Sequence, residues 1–205
     1  MGKVAIIDYG MGNLHSVSKA LEKVSSKEVI ITSNKKEINN AERIVIPGVG
    51  AIKDCMKALR SKGLDEVIIK NALSKPTLAI CVGMQLLLDY SEENNGVVGL
   101  GILEGRITKI PLNANIKIPH MGWNQVKKLK DHYIWKSIDD NSFFYFVHSY
   151  FCAASKSAIS QTNHGYNFVS ALAKENILAV QFHPEKSQRV GLRFYKNFIN
   201  WNGDT

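Results

Sequence analysis

Apolar positions follow two rhythms along this chain. In the first 90 residues, short β-branched runs at Val4-Ala5-Ile6-Ile7, Glu28-Val29-Ile30-Ile31-Thr32, Arg43-Ile44-Val45-Ile46 and Thr77-Leu78-Ala79-Ile80 stop at turn-forming residues. Runs of this length and composition read as buried strands. Between them apolar residues recur at helical spacing: Leu14, Val17, Leu21 and Val24 mark one helix, and Ala51 to Ser61 and Leu64 to Ser74 mark two more, separated by Gly63. Strands alternating with helices of these lengths predict a parallel sheet with helices on both faces. After about residue 96 the rhythm changes. Strand-like runs at Ile102 to Ile110, Asn124 to Leu129, Phe143 to Tyr150, Ala158 to Thr162, Val169 to Ala173 and Ile177 to His183 follow with few helices between them, which predicts antiparallel pairing. Arg189 to Trp201 closes the chain as an amphipathic helix, with Val190, Phe194, Phe198 and Trp201 on one face. The expected fold class is α/β, three-layer, with a mostly parallel central sheet and an added antiparallel strand region in the C-terminal half.

At 205 residues, with no Pro/Gly/Ser-rich linker, one domain spanning 1–205 is expected. No apolar run reaches the roughly 18 residues needed to cross a bilayer, and the N-terminus carries no cleavage-site pattern, so no membrane partner and a cytoplasmic address are expected. Cys55, Cys81 and Cys152 are odd in number and irregularly spaced, which fits neither a disulfide framework nor a zinc ribbon. Neither a metal nor a cofactor is called for. The formal charge of +8 could draw nucleic acid, an acidic protein or a phosphorylated substrate. The lysines are dispersed, however, without an aromatic-basic motif, so a solvated surface and no nucleic-acid partner are expected. Gly10 and Gly12 suggest a dinucleotide loop, but the third glycine of that fingerprint is missing.

Chemistry concentrates at the ends of the strands, where active sites of parallel sheets lie. Cys81 follows an apolar strand and precedes an apolar helix, with Ala79 and Gly83 two residues to either side. This is the build of a nucleophile elbow, in which backbone can crowd the turn and a helix start favours a thiolate. The same pattern also fits a small buried apolar residue. Of six histidines, only His183 carries an acid at a spacing that can orient it: in His183-Pro184-Glu185, residues i and i+2 of extended chain point the same way. Glu185 can then fix the tautomer, as a triad acid does; a satisfied core histidine is the alternative. Gly48, Val49 and Gly50, after a strand and Pro47, offer unobstructed N–H groups for an oxyanion, and Val82 N–H is the natural second donor. A plain tight turn explains the glycines equally well.

Cys81-x-Gly83-x-Gln85 together with His183-Pro184-Glu185 resembles the triad, or class I, glutamine amidotransferases, whose cysteine takes the acyl group of glutamine and releases ammonia. Within them the chain is similar to the glutaminase subunits of imidazole glycerol phosphate synthase, on Asp8 to Leu14, Pro47 to Gly50, Cys81 to Leu87, Ser91 to Glu93, Pro119 to Asn124, Tyr145 to Tyr150 and Gln181 to Ser187. The resemblance implies a flavodoxin-like fold, with Cys81 as nucleophile, His183 as base and Glu185 as its orienter. It further implies that Gln85, Ser149 and Tyr150 hold the amino-acid end of L-glutamine, and that Gly48 to Gly50 supply the oxyanion hole. The implied partner is a (β/α)8-barrel synthase subunit forming a heterodimer, with Asn13, Met121, Trp123 and Lys186 near the contact. Ammonia would pass to that partner, which makes imidazole glycerol phosphate and aminoimidazole carboxamide ribotide in histidine biosynthesis. Ala79 departs from the family's usual glycine, and its methyl could crowd the elbow. A paralogue serving sugar amination and a catalytically silent binding subunit are the alternatives.

Overall fold

The computed structural model describes residues 2–111 and 116–204. The first half runs β1 (Lys3–Ile7), α1 (Leu14–Glu22), β2 (Glu28–Thr32), α2 (Lys35–Asn40), β3 (Arg43–Ile46), α3 (Ile52–Ser61), α4 (Asp65–Ala72), β4 (Thr77–Ile80) and α5 (Val82–Leu87). The second half runs β5 (Tyr90–Ser91), β6 (Val97–Val98), β7 (Arg106–Lys109), β8 (His120–Lys128), β9 (Ser142–His148), β10 (Tyr150–Cys152), β11 (Ala158–Asn163), β12 (Asn167–Lys174), β13 (Ile177–Val180) and α6 (Gln188–Asn200).

The sheet has the order β2-β1-β3-β4-β13-β12-β10-β7-β5-β6. Its first five strands are parallel: β1 pairs with β2 and β3, β3 with β4, and β4 with β13. From β1 the chain steps outward to β2 and then back past β1 to β3. With right-handed crossovers this reversal sends α1 to one face and the following helices to the other. The packing agrees, since α1 lies against α6 while α2 meets α4 and α3 meets α5. The inner strands β1, β3, β4 and β13 are buried almost throughout, as strands covered on both faces must be. β12 then turns antiparallel to β13, and β11 leads to the β8–β9 hairpin. The expected fold class holds in both halves.

Several element bounds differ from those the pattern predicts. The sequence rhythm passes over α2, whose six residues bury only Ile38. It forms because Asn34 caps it, accepting from Lys36 N–H at 2.9 Å. The run Phe143 to Tyr150 is two strands, broken at Ser149. The strand expected up to His183 ends at Val180, which frees the next residues to turn into the site.

Two glycines let β3 and the start of α5 close on each other. A Cβ on Gly83 would lie 2.0 Å from the Ile46 carbonyl oxygen, and one on Gly48 would lie 2.6 Å from the Gly83 nitrogen. Ala79, by contrast, sits inside β4, level with Ile46 of β3 and with the small Ala179 of β13. Ala79 is fully buried in the strand, and the close approach falls on Gly83 and Gly48. Gly83→Ala should therefore lower stability by about 3 kcal/mol, as overpacking against backbone does, while Ala79→Gly loses only about 1 kcal/mol. Urea denaturation of both variants checks this, and a Gly83→Ala change as mild as Ala79→Gly would contradict the packing argument.

Candidate active site

Cys81 leaves β4 at φ 56° and ψ −111°, a backbone conformation that side chains avoid at about 1 to 3 kcal/mol. Surrounding bonds hold it there. Cys81 N–H donates to the Val180 carbonyl of β13 at 2.7 Å, its carbonyl accepts from Gln85 N–H at 3.3 Å, and the glycine contact with Ile46 pins the next turn. Cys81 as a whole is 3% exposed. Gln181 Nε2 approaches it at 3.7 Å, and the Val147 carbonyl of β9 lies 3.9 Å away. Burial pushes the other two thiols, Cys55 and Cys152, up to about 11, so both stay protonated at neutral pH.

His183 arrives from β13, the parallel neighbour of β4. Its N–H donates to the Tyr145 carbonyl at 2.8 Å, and its own carbonyl accepts from Ser187 Oγ at 2.6 Å. Nδ1 lies 2.7 Å from Glu185 Oε1, with both side chains 1% exposed. Tyr195 of α6 donates to the second carboxylate oxygen at 3.4 Å. Nε2 is buried without a completed hydrogen bond. Burial alone would lower the His183 pKa; the neighbouring Cys81 sulfur, by charge and as acceptor, and Glu185 outweigh it and raise it to about 10.

The loop after β3 stands beside them. Tyr9 hydroxyl donates to the Pro47 carbonyl at 2.6 Å and Cys55 thiol to the Val49 carbonyl at 3.5 Å, so both peptide planes are held from behind. Val49, Gly50 and Val82 line the cavity, and among the described residues none of their N–H groups has a hydrogen-bond partner. Gly48 does not line it; this residue is packed against Tyr9, Val82 and Gly83.

The cavity has a volume of about 310 Å³ and brings together Cys81, His183, Gln85, Ser149 and Tyr150 with the loop donors. It also takes in four residues to which the sequence pattern assigns no role: Glu93, Pro119, Val147 and His148. Glu93 accepts from Ile52 N–H at 3.0 Å, which fixes a carboxylate at the cavity wall where an ammonium group could meet it. Gln181, also without an assigned role, is fully buried and bridges Gln85 (3.1 Å) to the cysteine sulfur. A polar residue inside a buried strand end was the available signal for it.

The remaining sequence candidates lie outside the cavity. Met121 and Trp123 are 62% and 45% exposed on β8. Trp123 stands edge-on to Tyr145, over whose ring Lys186 Nζ lies at 5.6 Å. Asn13 caps α1, at the carboxyl end of β1, without a side-chain capping bond.

A thiol, an imidazole oriented by a carboxylate, and free N–H groups around a cavity form a set that can attack a carbonyl, hold the oxyanion and pass a proton to the leaving group. Residues 5–201 match the family described as Glutamine amidotransferase class-I. The chain is 52% identical to the imidazole glycerol phosphate synthase subunit HisH of Nitrosococcus oceani, over 99% of each chain. It is 49% identical to the protein of the same name from Acinetobacter baylyi, over 98% of this chain and 100% of that one. A crystal structure of a glutamine amidotransferase superposes with a TM-score of 0.73 over 97% of this chain and 99% of that one, at 15% identity.

The raised His183 pKa has a sign that can be tested. An imidazole titrates near 6.5 in an unfolded chain, so the charged form stabilises the fold fully below that pH, and the contribution fades as pH rises towards about 10. NMR titration of the His183 ring should place its transition well above 6.5 and move it down in Cys81→Ala, where burial is opposed by Glu185 alone. A transition near 6.5 in both proteins would contradict the assignment of cause.

Proposed function

The chain belongs to the class I glutamine amidotransferases, and from that premise we propose that it is the glutaminase subunit of an imidazole glycerol phosphate synthase, acting in histidine biosynthesis. The observation that carries this reading is identity of about 50% with HisH proteins over almost the whole chain, joined to a Cys81, His183 and Glu185 set beside one cavity.

The cycle runs on these side chains. L-Glutamine enters with its amino-acid end against Gln85, Ser149, Tyr150 and Glu93 and its side-chain amide at Cys81. The sulfur attacks the amide carbon, and negative charge gathers on the carbonyl oxygen, where Val82, Val49 and Gly50 N–H groups can donate. The His183 imidazolium, oriented by Glu185, gives its proton to the departing nitrogen, so ammonia leaves and a γ-glutamyl thioester remains. Neutral His183 then takes a proton from water, whose hydroxide displaces the sulfur; glutamate departs, and the site is restored with one water consumed.

Ammonia is passed to a synthase partner, read here as a (β/α)8 barrel, which completes the ring of imidazole glycerol phosphate and releases aminoimidazole carboxamide ribotide. Met121, Trp123, Lys186 and Asn13 form the partner face; the two exposed hydrophobics on β8 are side chains that gain by being covered. Both subunits work in the cytoplasm, and among the described residues no helix is long and apolar enough to cross a membrane.

Cys81→Ala, mixed with the partner, should lose glutamine-dependent turnover by at least about 10³-fold, while synthesis driven by added ammonium salt continues and partner affinity is unchanged. Glutamine-dependent turnover at the wild-type rate would remove Cys81 from the mechanism. Rescue of a histidine-requiring strain lacking its own glutaminase subunit should need Cys81, and failure of the wild-type chain to rescue despite good expression would reject the histidine role.

A further inference from the structure

β8 and β9 pair with His120 directly opposite His148, and both rings are buried, at 3% and 6% exposure. His148 Nδ1 lies 2.9 Å from the Tyr150 carbonyl oxygen, His148 Nε2 lies 2.9 Å from His120 Nδ1, and His120 Nε2 lies 3.2 Å from Asn124 Nδ2. These contacts admit one set of tautomers. A carbonyl oxygen only accepts, so the proton of a neutral His148 is on Nδ1 and its Nε2 accepts. His120 must then donate from Nδ1 and accept at Nε2, and Asn124 must present its nitrogen. Two further bonds fix that amide: Asn124 Nδ2 donates to the Asn163 carbonyl at 2.8 Å, and its oxygen accepts from Gln125 N–H at 2.8 Å.

Both rings are neutral at physiological pH, because burial lowers His120 to about 4 and His148 to about 3. The other ionisable groups acting on the pair are His164, stacked on His120 at 4.0 Å, and His183, whose positive charge disfavours a second one on His148. The far end of the chain meets the site. The Tyr150 carbonyl accepts a second bond from Gln85 Nε2 at 3.3 Å; Gln85 Nε2 also reaches Gln181, and Gln181 reaches the Cys81 sulfur.

We propose that His120 and His148 are positioning residues of the glutamine cradle. Through a one-way chain of hydrogen bonds from Asn124 to the Tyr150 carbonyl they fix the Ser149–Tyr150 segment and Gln85, and so the aim of the substrate amide at Cys81. The proposal rests on the glutaminase reading. Ring packing alone does not demand histidine here, since a phenylalanine could stack on Phe146, which lies 4.9 Å from the His120 centroid. What the histidines add is directed hydrogen bonding.

Steady-state kinetics of the full chain with its synthase partner bound test this. His120→Phe and His148→Phe keep the ring and remove the bonds; KM for glutamine should rise about 5- to 10-fold, the weight of one buried hydrogen bond, with kcat within about 2-fold. His148→Asn, whose amide can still donate to the Tyr150 carbonyl, should recover most of the KM. If a phenylalanine variant does not fold, Asn124→Leu carries the test, removing the first donor of the chain together with the amide's bonds to Asn163 and Gln125 while leaving both histidines in place, and raising KM about 2- to 3-fold at unchanged partner affinity. Unchanged KM in folded variants, asparagine no better than phenylalanine at position 148, or loss of kcat and stability without a KM effect would each overturn the positioning role. A wild-type complex that does not hydrolyse glutamine would overturn the glutaminase reading and this proposal with it; variants indistinguishable from an active wild type would overturn this proposal alone.

Discussion

Everything at the site depends on three strands lying side by side. β3, β4 and β13 are consecutive in the sheet and parallel, so their carboxyl ends are spaced by the roughly 4.8 Å of a β-ladder. The donor loop, the cysteine and the histidine are the residues that follow those three ends. Register does the fine adjustment: Val180 of β13 is level with Ile80 of β4, which sets Gln181 beside Cys81 and leaves the next two residues to bring the imidazole round. A slip of one position in that pairing would turn side chains to the other face and separate sulfur from base.

The strain at Cys81 is affordable because the neighbouring backbone leaves it no other place. Gly83 and Gly48 remove the atoms that would hold β3 and α5 apart, and the resulting contact presses the turn between two bonded strands. The same closeness explains why the loop after β3 is braced by side chains behind it, Tyr9 and Cys55, and not by its own turn. A rigid elbow and a braced loop are what preorganised charge stabilisation needs. The His-Pro-Glu turn is fixed in the same manner, from β9 by Tyr145, by Ser187 and from α6 by Tyr195.

Much of this could be read in the sequence where the signal is local. The β-branched runs of the first half, the Cys81 turn with its flanking small residues, and the two-residue spacing of His183 and Glu185 need no knowledge of the rest of the chain. Features that arise from pairing between distant segments could not be read. Gln181 looks like one polar residue in an apolar run until β4 brings a thiol to it, and Glu93 looks like a loop acid until Ile52 fixes it at the cavity wall. His120 and His148 are 28 positions apart, and only the β8–β9 register makes them a pair. α2 was hidden for the opposite reason, since a capped helix of six residues with one buried side chain has almost no periodicity to read.

In the proposed cycle a strained, buried cysteine beside an oriented imidazole forms an acyl bond with glutamine. Rapid chemical quench of the enzyme during turnover, followed by mass spectrometry of the Cys81 peptide, measures that bond. The expected result is a γ-glutamyl adduct on the Cys81 sulfur that forms and decays at rates compatible with turnover and is absent in Cys81→Ala. Glutamate released at the full rate with no adduct on that sulfur, or with an adduct on another residue, would contradict it.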